Sequence, residues 1–310
     1  MIGRITNQMA AQTTLSGIES ALDRLDTTQQ ELSTGKQINQ PSDNPSGTAL
    51  TLQLNNDLAN LSSYNSNVTD GTGWTQAQTG ALSDVTNAVQ RIQELVTEAA
   101  NGTQSQADMS ASADEVNQLI DEIKQDANTQ YNGQYVFSGS ATTTAPYQSG
   151  SSDSYAGNTN AVTREIGPNT SLTVSANLSG VLGTGQTVAG QPAGDGLLLN
   201  TLRNISDDMQ SGNSSALGST DLTNLSSGLN SLLGLSATVG STTDRLQMAS
   251  SRIASLQNSA SDSLSNTQDA DMAQTEINFS TQQAALTAAL QAGASIVQES
   301  LMNFLGSTSG

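Results

Sequence analysis

Apolar residues recur at helical spacing along most of this chain. Near the start they fall at Leu15, Ile18, Leu22, Leu25 and Leu32, with Gln29 as the one polar position between them. The steps alternate three and four, which predicts a helix with a coiled-coil seam. Gly35 is suited to the C-terminal end of that helix. The stretch KQINQPSDNPSG, Lys36–Gly47, then reads as a non-helical connector. Asn44 is placed to cap the next helix, with Pro45 at its first position, where the missing N–H costs nothing; Asp43 is the alternative cap. A second seam runs Leu54, Leu58, Leu61, Asn65, Val68, then Thr72, Thr75 and Thr79, then Leu82, Thr86, Val89, Gln93 and Val96. Gly71 and Gly73 each weaken a helix by about 1 kcal/mol relative to Ala. The pattern therefore predicts either a break at 70–73 or one rod over residues 44–100, roughly 85 Å long. Asn101-Gly102 is a stop signal. A shorter helix follows, with Val116, Leu119, Ile120, Ile123 and Ala127 on one face, ended by Tyr131-Asn132-Gly133.

Past that point the pattern changes. Tyr135-Val136-Phe137 reads as a short strand, and residues 138–199 are rich in Ser, Thr and Gly. Brief alternating runs occur there (Ala161–Thr163, Ser171–Val174), which predicts a small β-rich insertion. Helical spacing returns at Leu199, Leu202, Ile205 and Met209. A long seam then runs Leu222, Leu225, Leu229, Leu232, Ser236, Val239, Thr243, Leu246, Ser250 and Ile253. The last segment, after Asp271, carries Leu286, Leu290, Ala294, Val297, Leu301 and Phe304. The fold expected is mainly α: a long antiparallel helical rod or coiled coil formed by the N- and C-terminal segments, with a small β-rich central insertion. Residues 1–43 are expected to pair with 270–310. Residues 44–137 with 200–269 form the rod, and 138–199 the variable insertion.

Composition at first argues against any fold. The chain has 33 Leu, 12 Ile, 12 Val and 3 Phe, about 19% of its 310 residues, and a net charge of −19. That combination is a mark of disorder. The placement of those residues in helical seams overrides the rule, because the polar middle dilutes the count. The terminal seams remain thin, rich in Ala, Ser, Thr and Gln. They have little else in the chain to pack on, which points to neighbouring subunits as the source of missing core.

Chemistry is excluded on several fronts. There is no Cys and no His, so disulfides, thiolate zinc sites and the commonest general base are ruled out. No Lys/Arg cluster accompanies the pI of about 4.1, so nucleic acid is not expected as a partner. No window is apolar enough to span a membrane, and the first residues lack the apolar core of a secretory signal. No P-loop or dinucleotide fingerprint is present. Asp269 and Asp271 have the spacing of a calcium loop, but Ala273 stands where the next oxygen ligand belongs, so a solvated helix face is the better reading. Trp74, the single Trp, reads as a packing residue. No catalytic residue, metal site or cofactor is expected.

Four stretches carry a family resemblance. They are ELSTGKQINQPSDNPSGTAL (Glu31–Leu50), ELVTEAANGTQS (Glu94–Ser105), NGQYVFSGS (Asn132–Ser140), and DADMAQ (Asp269–Gln274) with QQAALTAALQAGASIVQESLMNFL (Gln282–Leu305). Together they resemble the flagellar hook-filament junction proteins, also called hook-associated protein 3, which are relatives of flagellin. Flagellins themselves usually carry Ala where this chain has Pro41 and Pro45, and commonly end in Arg after the last leucines, where this sequence reads Leu305–Gly310.

The resemblance implies a structural role without enzymatic activity. It implies a ring of subunits joining a preceding hook-associated protein to the first flagellin subunits. It also implies export through the flagellar type III apparatus, with a dedicated chaperone on the C-terminal helix, and an extracellular place on the flagellum. Filament subunit, flagellin itself, is the alternative. From the two terminal seams, Leu15, Ile18, Leu22, Leu25, Leu286, Leu290, Val297 and Leu301 are the expected subunit-contact residues.

Overall fold

A computed structural model describes residues 2–150, 152–185 and 195–306. Within the first and last helices, side chains are described for Met9 and residues 12–34, and for 272–295 and Gln298. The chain is mainly helical. Three helices open it: α1 (Ile2–Thr34), α2 (Pro45–Ala100) and α3 (Gln106–Ala127). Two small antiparallel hairpins follow, β1 (Gln130–Tyr131) with β2 (Gln134–Tyr135), and β3 (Thr163–Gly167) with β4 (Thr170–Thr173). Then come the short α4 (Ser179–Leu182), α5 (Leu198–Ser211), the three-residue α6 (Ser214–Ala216), a π turn (Leu217–Asp221), α7 (Leu222–Gln268) and α8 (Met272–Gly306). Two compact units result, residues 1–60 with 257–310, and residues 61–256.

Residues 61–256 enclose the larger core. On α7, burial repeats every seven residues: Leu225, Leu232, Val239, Leu246 and Ile253 are all buried. Serines and threonines of the same seam bond back to their own helix, as Ser236 Oγ does to the Leu232 carbonyl (3.0 Å) and Thr243 Oγ1 to that of Val239 (3.0 Å). A hydroxyl so satisfied can line a buried seam without an interhelical partner. Along α2 the buried arc widens toward the C-terminus, taking in Leu82, Val85, Val89, Ile92, Val96 and Ala99. There α3 adds Val116, Ile120 and Ile123, and α5 adds Leu199, Leu202 and Ile205.

The alternatives at 70–73 resolve in favour of one helix. α2 runs unbroken for 56 residues, about 84 Å at 1.5 Å per residue. Gly71 and Gly73 answer to close approach, not to a bend. A Cβ on Gly71 would meet Leu246 at 3.2 Å, and one on Gly73 would overlap the Tyr131 hydroxyl. The Asn44 cap forms as expected: its side-chain oxygen accepts from the Gly47 N–H (2.9 Å). α3 starts on a capping box between Ser105 and Asp108, which satisfies two otherwise orphan donors.

The strand expected at 135–137 is shorter. Only Gln134–Tyr135 pairs, across the Asn132-Gly133 turn, and Val136 and Phe137 are buried beside α2 instead, where the Val136 carbonyl accepts from Gln78 (2.9 Å). In the insertion, the alternating runs give the β3–β4 hairpin. It is fixed to α2 by Arg164 Nε on Asp70 (2.7 Å), by Asn67 Nδ2 on the Glu165 carbonyl (3.0 Å), and by the Arg164 guanidinium over the Trp74 ring (5.8 Å). Trp74 is buried and meets Tyr131 edge-on. The other charged anchor of the insertion is Asp153. It takes the buried Lys124 ammonium of α3 at 2.5 Å and Arg203 of α5 at 3.3 Å.

Candidate assembly surface

In the unit formed by residues 1–60 and 257–310, α1 and α8 lie against each other. The inward positions of α1 are Thr14, Ile18, Ala21, Leu25, Thr28 and Leu32, and those of α8 are Thr275, Phe279, Gln282, Leu286, Ala289 and Gly293. Both sets step by four and three. The pair is antiparallel: the Thr28 hydroxyl bonds to Gln282 Oε1, while a Cβ on Gly293 would meet Ile18 at 3.3 Å and Thr14 at 3.4 Å. Small residues (Ala21, Thr28, Ala289, Gly293) let the backbones approach.

This choice of small residues turns α1 slightly from the seam read by spacing. Ile18, Leu25 and Leu32 face α8 as that spacing requires, but Leu15 and Leu22 do not. They are 57% and 44% exposed. On α8, Leu286 is half-buried in the seam and Leu290 is 52% exposed. Val297 and Leu301 lie outside the described side chains. The structure thus leaves Leu15, Leu22 and Leu290 outward on the paired helices, and sets Ile18, Leu25 and Leu286 between them.

The connectors at the base of this pair are knit together. Gly35 ends α1 in the left-handed region (φ 71°). The Ala270 N–H donates to the Gly35 carbonyl (2.9 Å), the Gln37 N–H to the Gln268 carbonyl (2.8 Å), and Gln37 Nε2 to the Thr267 carbonyl (3.0 Å). Asp43 does not cap α2. Its Oδ2 accepts from the N–H groups of Asn39 (3.0 Å) and Gln40 (2.8 Å) and closes the connector on itself. Ile38 is buried beneath it, so close to Gly47 that a Cβ there would fall 2.5 Å from its Cδ1. Asp271 caps α8 through the Ala273 and Gln274 N–H groups (3.1 and 3.2 Å). Two of the segments that carry the family resemblance, Glu31–Leu50 and Asp269–Gln274, are therefore one clasp. Spacing alone gave no sign of it, because its bonds run through backbone groups.

Among the described residues, no group of three or more Asp or Glu is placed to hold a metal ion, and no helix is long and apolar enough to cross a membrane.

Known proteins are similar to this chain in part of its sequence and in its fold. The family described as bacterial flagellin N-terminal helical region matches residues 5–142. Flagellins of Salmonella dublin and Salmonella enteritidis are each 35% identical over 124 residues, 40% of this chain. That alignment spans only 23% of the flagellins' own length. Among solved structures, a flagellar hook-associated protein from Vibrio parahaemolyticus superposes with a TM-score of 0.64 at 18% identity, covering 73% of this chain and all of that one. Hook-associated protein 3 of Legionella pneumophila gives 0.58 at 14% identity, covering 69% and 98%. The resemblance read from the motifs is thus borne out twice: residues 5–142 carry a flagellin-related sequence, and the chain has the fold of the hook-associated and junction proteins.

Proposed function

We propose that this chain is a structural adaptor of the bacterial flagellum, joining a ring of hook-associated protein to the flagellin filament, and not an enzyme. The observation that carries the reading is the α1–α8 pair, which leaves large leucines outward on a thin two-helix layer. Such a layer gains stability when a neighbour covers it. Residues 1–43 with 270–310 form the subunit-contact layer, 44–137 with 200–269 the rod, and 138–199 the outer insertion. Leu15, Leu22 and Leu290, outward on the pair, make the contacts together with Val297 and Leu301, while Ile18, Leu25 and Leu286 hold together the two helices that present them. The partners are other copies of this chain, the preceding hook-associated protein, flagellin, and an export chaperone that holds the C-terminal helix during passage through the type III apparatus. The fold shared with hook-associated protein 3 over nearly the whole of that chain supports this assignment.

A second reading is the filament subunit itself. Its specific support is the 35% identity to flagellins over 124 residues.

The test is the double variant Leu290→Asp with Val297→Asp. The helical circular dichroism of the rod persists and attachment of the filament is lost. Filaments attached at wild-type frequency would contradict the assignment of this face.

A further inference from the structure

The sequence holds two Asn-Gly pairs, Asn101-Gly102 and Asn132-Gly133. Such a pair can react with itself. Hydroxide takes the proton of the glycine N–H, and that nitrogen attacks the side-chain Cγ of the asparagine. A C–N bond forms, ammonia leaves, and a succinimide ring results. Water then opens the ring. Opening at one carbonyl gives aspartate; opening at the other gives isoaspartate, whose main chain runs through the side-chain carbons. The net change consumes water and releases ammonia. Glycine favours the step because no Cβ shields its nitrogen.

The reaction needs an exposed asparagine, a glycine N–H without a firm hydrogen bond, and backbone freedom to bring that nitrogen to Cγ. All four residues of the two pairs are exposed, so backbone geometry decides between them. Asn101 and Gly102 form the turn after α2. Their N–H groups reach back to the carbonyls of Glu98 at 3.3 Å and Ala99 at 3.4 Å, both longer than an ordinary N–H···O bond. Gly102 is left-handed (φ 67°), and nothing lies within 4 Å of its Cβ position, so the ring has room to close. A helix end held this weakly opens at little free-energy cost.

Asn132-Gly133 is the two-residue turn of the β1–β2 hairpin, and its asparagine is itself left-handed (φ 50°), as such tight turns require. Tyr131 pairs with Gln134 and Gln130 with Tyr135 on its two sides. The strands are anchored in turn: Tyr131 meets the Trp74 ring at 6.4 Å, and the Tyr135 N–H donates to the Thr142 carbonyl (2.8 Å). Freeing the Asn132 backbone means breaking the hairpin.

We propose that Asn101 is a self-modification site of the folded protein, converting to aspartate and isoaspartate while Asn132 is preserved. The product adds a negative charge at the C-terminal end of α2, where the helix dipole is already negative. Isoaspartate also lengthens the connection between α2 and α3 by a backbone carbon. The inference rests on residues 61–256 alone and holds whichever flagellar role is correct.

The experiment incubates the purified full chain at mildly alkaline pH, with and without guanidinium chloride, and follows both sites by tryptic mass mapping. Asn101 lies in the fragment Ile92–Lys124 and Asn132 in Gln125–Arg164; fragmentation spectra place the change on the residue. In the folded chain Asn101 converts at least roughly tenfold faster than Asn132. In denaturant the two rates converge. Isoaspartyl methyltransferase labels the aged Ile92–Lys124 fragment, and Asn101→Gln removes that label. Equal rates in the folded chain, or faster reaction at Asn132, overturns the proposal. So does a rate difference that persists in denaturant, which would assign it to sequence, or a label that survives Asn101→Gln.

Discussion

The Tyr131 hydroxyl sits over Gly73, in the space that a Cβ would fill. Here a helix-weakening residue lies in the middle of the longest helix because the β1–β2 hairpin comes down on its backbone. Gly80, seven residues on and exposed, has nothing within 4 Å of its Cβ position. The two glycines should therefore respond in opposite ways. Gly80→Ala gains about 0.5–1 kcal/mol from helix propensity. Gly73→Ala loses about 1–2 kcal/mol, since overpacking outweighs that gain. Urea unfolding of both variants checks this, and equal shifts would refute it.

Lys124 is 1% exposed, and its ammonium contacts Asp153 (2.5 Å) and the carbonyls of Gly150 (2.6 Å) and Ser152 (3.0 Å). Removing one partner leaves a buried charge unpaired, which costs about 3–5 kcal/mol. Asp153→Ala should lower stability by that order and open the insertion to protease before the helices. A cleavage pattern like the wild type's would count against Asp153 as the anchor of the insertion.

Asp126 has a buried oxygen without a partner, and burial, then the charges of Asp84 and Glu122, push its carboxyl up to about 6. The folded state then holds this proton more tightly than the unfolded chain. Stability falls as pH rises from about 4 to about 6 and is flat above that. Asp126→Asn should leave stability unchanged at pH 4 and raise it by about 1 kcal/mol at pH 7.5, a figure reduced for solvent screening. Denaturant midpoints at the two pH values decide it.

The connector makes separate demands. Asn44→Ala should cost about 1 kcal/mol through the α2 cap. Asp43→Ala also removes the acceptor of two backbone N–H groups that hold the connector closed, at roughly 1–3 kcal/mol. Faster amide exchange at Asn39 and Gln40 in Asp43→Ala, with no change there in Asn44→Ala, would separate the two roles.

Helices and seams were legible because they are periodic. The α7 heptad from Leu225 to Ile253 appears in the structure position for position. What spacing missed has three physical sources. Glycine spacing does not say whether a glycine bends a helix or admits a neighbour, and Gly73 needed Tyr131 to decide. A 3-4 seam also fixes a helix face only to about one residue, so Leu15 and Leu22 share the spacing of the seam yet lie outward, while Thr14, Ala21 and Thr28 do the packing against α8. Finally, the clasp of Gly35 and Gln37 with Gln268 and Ala270 is made of backbone bonds between distant segments, and no side-chain pattern announces it.

The adaptor role is tested most directly by deleting the gene and measuring unpolymerised flagellin in the culture medium. The account predicts hooks without filaments and abundant free flagellin released. A deletion strain that releases no flagellin, because this chain was itself the filament subunit, would contradict it.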